Sequence, residues 1–198
     1  MKGIREYLSR VSPISNETWE VIEPILTKKT LRKGDFFAKT GRRENDFGIL
    51  LEGIMRAYIP NKKGSFYVKT LFTPLHFKTP ISFVGAFSSL VSNHPNMVMI
   101  DALTEVKIYT GKYKDWDDLS QKNMEVAQWS RRLAELFFMG KELREFEFVT
   151  LQAEERYRLF RDRFPELENL ISQYHIAHFL NITPTQLSRI RKKMFRSE

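Results

Sequence analysis

The chain of 198 residues contains no cysteine. That absence excludes a disulfide framework, a thiolate zinc site, a cysteine-ligated iron–sulfur cluster and a cysteine nucleophile. Histidine is scarce, with four in the chain and no His-x-His pair, so the histidine cluster of a cupin-type metal enzyme has no obvious source. Neither a Gly-rich phosphate loop nor a nucleophile elbow is present. No apolar run approaches membrane-spanning length. The first residues, Met1 to Leu8, carry Lys2, Arg5 and Glu6 and lack the apolar segment of a signal peptide. A cytoplasmic protein with no membrane partner is expected. Internal repeats and low-complexity segments are also missing.

What is there is an ordinary globular composition with a basic surplus. The hydrophobic share is 42% and the formal net charge is +8, enough apolar material for a core and enough fixed positive charge to concentrate polyanions near the surface.

Along the chain the pattern changes twice. Ile14 to Leu26 reads as a helix, with Ser15 as its cap and Ile14 and Trp19 placed as a hydrophobic staple. From Thr30 to Thr110 short apolar and β-branched runs follow one another: Phe36–Ala38, Phe47–Leu51, Ile54–Ile59, Phe66–Phe72, Met97–Ala102 and Val106–Thr110. Breakers at Gly34, Gly41, Gly53, Pro60-Asn61 and Gly64 separate them, and a short apolar stretch, Gly85 to Val91, reads as a helical turn inside the set. Many short strands at this spacing predict a small barrel or jelly-roll-like β-roll.

After Thr110 the strand signals stop. Between Met124 and Phe146, residues Val126, Trp129, Leu133, Leu136, Gly140 and Leu143 alternate three and four apart and form one stripe of a long helix. Such a stripe suits a partner helix in a homodimer. It suits equally a helix packed on the chain's own roll. A further helix is expected from Leu151 to Phe164, ended by Pro165.

The most informative stretch is Ser172 to Met194, where two helix starts follow closely. Ser172 caps a short helix through Leu180 whose inward face is Ile176, Ala177 and Leu180, with small Ala177 where a second helix must cross. Asn181 stands at the turn, where a left-handed backbone is needed. Thr183-Pro184-Thr185-Gln186 then supplies an N-cap, a proline at the first helical position and a capping-box glutamine. In the second helix Leu187, Ile190 and Met194 fall inward, leaving Thr185, Ser188, Arg189 and Lys192 outward. This is the pattern of a helix-turn-helix with its recognition helix at Pro184–Met194. Short polar groups near the helix start suit base edges, Arg189 has the fork that pairs with guanine, and Thr183, Gln186, Arg191, Lys192 and Lys193 suit phosphates. The plain alternative is an αα-hairpin with a solvated basic end.

This order of parts resembles the Crp/Fnr family of transcription regulators over nearly the whole chain. The resemblance is carried by Leu31–Phe37 (LRKGDFF), Leu51–Arg56 (LEGIMR), Ala153–Tyr157 (AEERY) and Ile182–Lys192 (ITPTQLSRIRK); the last two look like the short members of Bacteroidetes-type bacteria. It implies an α+β protein: a cyclic-nucleotide-binding-like roll with the dimerisation helix over 1–146, and an all-α helix-turn-helix part over 147–198. It implies double-stranded DNA and a second copy of the chain as partners, and adds RNA polymerase as a third to test. In relatives that bind cyclic AMP, a Gly-Glu pair grips the ribose and an Arg after a Pro neutralises the phosphate. The matching positions here read Gly85-Ala86 and Pro95-Asn96-Met97. An effector pocket would therefore involve Gly85, Ala86, Phe87, Asn96 and Met97, with cyclic AMP disfavoured because a buried phosphate without a cation is costly. No cofactor and no metal are expected. The end of the chain soon after Met194 leaves little for a wing, so contacts should concentrate on the recognition helix.

His175 and His178 share a helix face but lack a third ligand, and His76 and His94 are isolated in the roll region. Asp115, Asp117 and Asp118 suit a helix start better than acid–base chemistry. Enzymatic catalysis is not expected. A signalling module that uses the roll and long helix to bind a protein stands as the alternative to DNA binding.

Overall fold

The computed structural model describes residues 2–61, 65–74 and 81–194. Among the described residues eight strands form two four-stranded antiparallel sheets: β1 (Thr27–Leu31), β8 (Val106–Lys112), β3 (Asp46–Glu52) and β6 (Ser82–Val84) in one, and β2 (Phe36–Ala38), β7 (Met99–Ala102), β4 (Met55–Pro60) and β5 (Phe66–Phe72) in the other. The orders β1-β8-β3-β6 and β2-β7-β4-β5 are those of a jelly roll, in which successive strands cross between the sheets except at the β4–β5 hairpin. Between the sheets Leu50, Met55, Ala57, Val84, Val98, Ile100 and Ile108 pack with Phe37 and Phe72. The roll interior is thus a closed apolar core.

Turns sit where the sequence places breakers. Gly53, between β3 and β4, has φ of +90°, and a Cβ there would stand 2.2 Å from the Glu105 carbonyl oxygen, so only glycine fits. Ser15 caps α2 (Asn16–Ile22), accepting from the Thr18 N–H, but that helix is shorter than expected. Pro24 lacks the N–H that would continue it, and the chain tightens into a 3-10 turn, Glu23–Ile25, before β1. Strand β6 had no signal of its own; the short helix α3 (Phe87–Ser92) follows it. The breaker Gly64 lies outside the described residues.

A helical layer covers the first sheet. α1 (Lys2–Ser9), α4 (Tyr113–Ser120) and the start of α5 (Met124–Thr150) surround Trp129, whose indole N–H donates to the Leu8 carbonyl at 2.9 Å and whose ring meets Trp116 edge-on at 5.0 Å. Tyr7 of α1 reaches under this layer to accept from the Ser82 N–H at 2.8 Å.

α5 is 27 residues, about 40 Å at 1.5 Å per residue. It is followed by α6 (Ala153–Arg163), whose first turn is closed by the Gln152 N–H on Glu155 Oε2, then α7 (Leu167–Leu170), α8 (Gln173–Phe179) and α9 (Pro184–Met194). The expected junction at 146/147 falls inside α5, which continues unbroken to Thr150. A second apolar cluster joins these helices to the roll: Tyr157, Phe160, Ile176, Phe179 and Leu187 pack with Val68 and Leu71 of β5 and with Ile54 and Leu103 beside the ends of β4 and β7. No helix among the described residues is long and apolar enough to cross a membrane.

Candidate nucleic-acid interface

The two C-terminal helices have helix-turn-helix geometry. Ser172 caps α8, accepting from the Tyr174 N–H. Asn181 takes the left-handed conformation with φ of +55°, and the Ile182 N–H returns to the Ala177 carbonyl at 3.0 Å. Ala177 is fully buried at the crossing. Thr183 Oγ1 then accepts from the Gln186 N–H at 3.1 Å, opening α9.

On α9, Leu187 is buried and Ile190 and Met194 are half-buried against the core, whereas Thr185, Gln186, Ser188, Arg189 and Lys192 are exposed, with Thr183 exposed just ahead of them. Among the described residues neither Arg189 nor Lys192 forms an ion pair. Two further expected contacts have partners on α6. Lys193 pairs with Glu154 Oε2 of α6 at 2.7 Å. Arg191 is half-buried beside Tyr157, whose hydroxyl donates to Glu168 Oε2 at 2.5 Å. Burial, followed by the Glu168 carboxylate, pushes the Tyr157 phenol up to about 12. Arg191 therefore braces α9 against α6 rather than projecting outward with Arg189.

The expected dimer stripe divides. Val126, Trp129 and Leu133 are buried against the chain's own first sheet and helices, and half-buried Leu136 joins that cluster, but Gly140 is open and Leu143 is 48% exposed. The reason is periodicity. A straight helix repeats every 3.6 residues and drifts from a 3.5-residue pattern by about 20° per heptad. The covered face continues instead through Phe137, which packs on Phe87, then Arg144 and Phe148. The uncovered face carries Met139, Leu143 and Phe146, beside Phe138 and Val149, all large and exposed.

The expected effector residues have other surroundings, Ala86 being buried in the core between the sheets. Gly85 is backed by Leu90, Phe87 turns toward Phe137, and Met97 is 66% exposed. Asn96 is buried, but its side chain bonds the Val98 N–H and carbonyl.

Two of the histidines, His175 and His178, pack against the roll. His175 Nδ1 lies 2.9 Å from Arg56 Nη1, and burial, reinforced by that guanidinium, lowers its pKa to about 4, leaving a neutral ring whose Nδ1 accepts. His178 packs on Phe66 with ring centroids 4.4 Å apart. His94 is exposed beyond α3, and His76 lies outside the described residues. Among the described residues no three His, Asp or Glu side chains come together as a metal site.

Sequence reasoning missed Arg56, Asp101 and Arg144, which join the helix-turn-helix to the rest of the chain. One signal was available: β5 is apolar on both faces, a mark of a strand covered on both sides.

No protein-family profile and no curated protein sequence matches the chain. Solved structures do. FixK2 from Bradyrhizobium japonicum superposes with a TM-score of 0.70 at 15% identity, over 87% of this chain and 86% of its own. A protein from Eubacterium rectale, described as a transcriptional regulator of the Crp/Fnr family, gives 0.70 at 13% identity, over 93% and 85%. CLP from Xanthomonas campestris, described as a c-di-GMP responsive global regulator, gives 0.63 at 14% identity, over 92% and 93%. The chain shares the α+β fold of these three solved structures over most of its length.

Proposed function

We propose that the protein is a DNA-binding transcription regulator of the Crp/Fnr type, a cytoplasmic binding protein rather than an enzyme, acting as a homodimer on a palindromic site. The observation that carries this reading is the outward face of α9. It presents Thr185, Gln186, Ser188, Arg189 and Lys192 together on a capped helix whose other side is anchored, and its two cations have no ion-pair partner among the described residues. Arg189 reads guanine bidentately, short polar groups near the helix start meet base edges, and Lys192 and Thr183 hold phosphates. Residues 147–198 supply the DNA contacts and 1–146 the sensor.

Dimerisation uses the uncovered face of α5, centred on Met139, Leu143 and Phe146, which sets two recognition helices to read half-sites about one helical turn apart. Cyclic AMP is not the effector. Gly85-Ala86 and Pro95-Asn96-Met97 supply neither a carboxylate for the ribose nor a cation for the phosphate, and the described roll interior is apolar. RNA polymerase is a downstream partner.

The test is selection of bound duplexes from a random DNA pool by the full chain without added nucleotide. Enrichment of a two-fold-symmetric sequence supports specific binding by a dimer to a palindromic site without cyclic AMP. Absence of enrichment at low and moderate salt overturns nucleotide-independent DNA binding and moves a protein-binding role to the front.

A further inference from the structure

The outer face of the second sheet carries a charged pair in an unusual place. Arg56 of β4 and Asp101 of β7 are direct cross-strand partners, and their neighbours Met55, Ala57, Ile100 and Ala102 turn to the apolar interior. The pair is bidentate, Nε to Oδ1 at 2.8 Å and Nη2 to Oδ2 at 2.9 Å. An outward-facing pair should be wet, yet Arg56 is 9% and Asp101 6% exposed. α8 covers them. The remaining Arg56 nitrogen, Nη1, donates to His175 on α8, so the guanidinium directs all three of its nitrogens. The guanidinium lies over the Tyr58 ring at 4.2 Å and the Phe66 ring at 4.7 Å, and Phe66 continues the contact to Tyr174 and His178 of α8.

The other end of α8 meets a second arginine. Arg144 of α5 donates through Nη2 to the Phe179 carbonyl at 2.7 Å and to the Val68 carbonyl at 3.3 Å, and through Nε to the Tyr67 hydroxyl at 3.2 Å. Its guanidinium lies 3.9 Å over the Phe179 ring. α8 is thus tied at its first turn to the roll and at its last residue to the long helix. Guanidinium contacts of this kind are directional and define one geometry, where apolar packing tolerates sliding.

With α8 pinned by its outer face, the recognition face of α9 remains uncovered. We infer that Arg56 with Asp101, acting on His175, and Arg144, acting on Phe179, form a positioning device that fixes α9 relative to α5 and the roll in the DNA-competent posture, and so sets the spacing of the two recognition helices. The inference rests on the DNA-binding reading above. Simultaneous engagement of two half-sites depends on geometry, whereas one half-site does not sense the distance to the other.

The experiment compares wild type with His175→Ala, which leaves the Arg56–Asp101 pair intact, and with Arg144→Met, which keeps apolar bulk. Amide hydrogen exchange without DNA should rise about tenfold or more over 173–179 while β4 and β7 stay protected. Affinity for the selected two-half-site duplex should fall about tenfold or more, with less than about a twofold change for a single half-site. His175→Asn, whose side-chain oxygen stands where Nδ1 does, should restore both readouts; His175→Gln should not. If His175→Ala fails to fold, the Asn and Gln pair carries the test. Unchanged α8 exchange, equal loss on both duplexes, or tighter DNA binding on release of α8 overturns the inference. Wild-type protein that selects no duplex overturns the DNA reading and the spacing role with it, while the exchange measurement decides the docking by itself.

Discussion

The two halves of α5 use apolar residues for different ends. From Val126 to Leu133 the helix lies on its own roll, and the large apolar side chains there, Val126, Trp129 and Leu133, are buried. Beyond Leu136 the large apolar residues Phe138, Met139, Leu143 and Phe146 face outward, although nothing in their chemistry distinguishes them from the first set. α9 repeats the division within a single helix, with Leu187 inward and Arg189 outward. Burial by the chain itself makes a side chain a determinant of stability. The same side chain left uncovered becomes a determinant of association.

The largest expected effect comes from the covered half. Trp129→Ala removes the indole at the centre of the Trp116, Phe83 and Leu8 contacts and should cost about 3–5 kcal/mol of stability, read by denaturant unfolding. A loss under about 1 kcal/mol would show that the covered half is not a core element. On the uncovered half, Leu143→Asp with Phe146→Asp should weaken self-association by about 2 kcal/mol or more in analytical ultracentrifugation. Monomer stability should stay within about 0.5 kcal/mol per substitution. A variant that remains dimeric places the interface elsewhere.

The outward face of α9 should respond in specificity rather than stability. Arg189→Ala is expected to lose about 1–3 kcal/mol of binding to the selected duplex, much less to random duplex, and to leave the melting temperature unchanged. Equal loss on both duplexes would make Arg189 a phosphate contact.

The last prediction concerns the polar seam between roll and helices, where the effect appears only as a dependence on pH. His175 faces Arg56 from β4, Asp101 from β7, His178 on its own helix and Lys33 before β2, and its pKa falls from the ordinary 6.5 to about 4. The unfolded chain therefore binds more protons between those values. The contribution of this group is fully present above about pH 6.5 and declines as the pH falls toward 4. His175→Asn should flatten that part of the stability profile, and a variant with the wild-type slope would assign the slope to other groups.

Much of the fold was legible from local signals. Gly53, Ser15, Asn181 and Thr183 each occupy the position their backbone preference predicts, and the Phe66–Phe72 run forms a strand with those ends. β1 and β6 were less legible. The former is largely polar and exposed, the latter only three residues long, and both take their conformation from β8 and β3 alongside. The candidate interface was legible in part: the exposure of Thr185, Gln186, Ser188, Arg189 and Lys192 follows from helical period. Arg191 and Lys193 sit on the same basic run, and their contacts with Tyr157 and Glu154 of α6 were not legible in it.

The sequence by itself determined the order of parts, most strand and helix identities, and the helix-turn-helix, because turn residues, caps and periodicities act over a few residues and need no distant partner. Only the tertiary structure decided which stretch of α5 is covered, that the roll interior is closed by apolar side chains, and that Arg56, Asp101 and His175 meet. The last joins residues up to 119 positions apart. Such contacts depend on how sheets and helices pack as bodies, which no local pattern encodes.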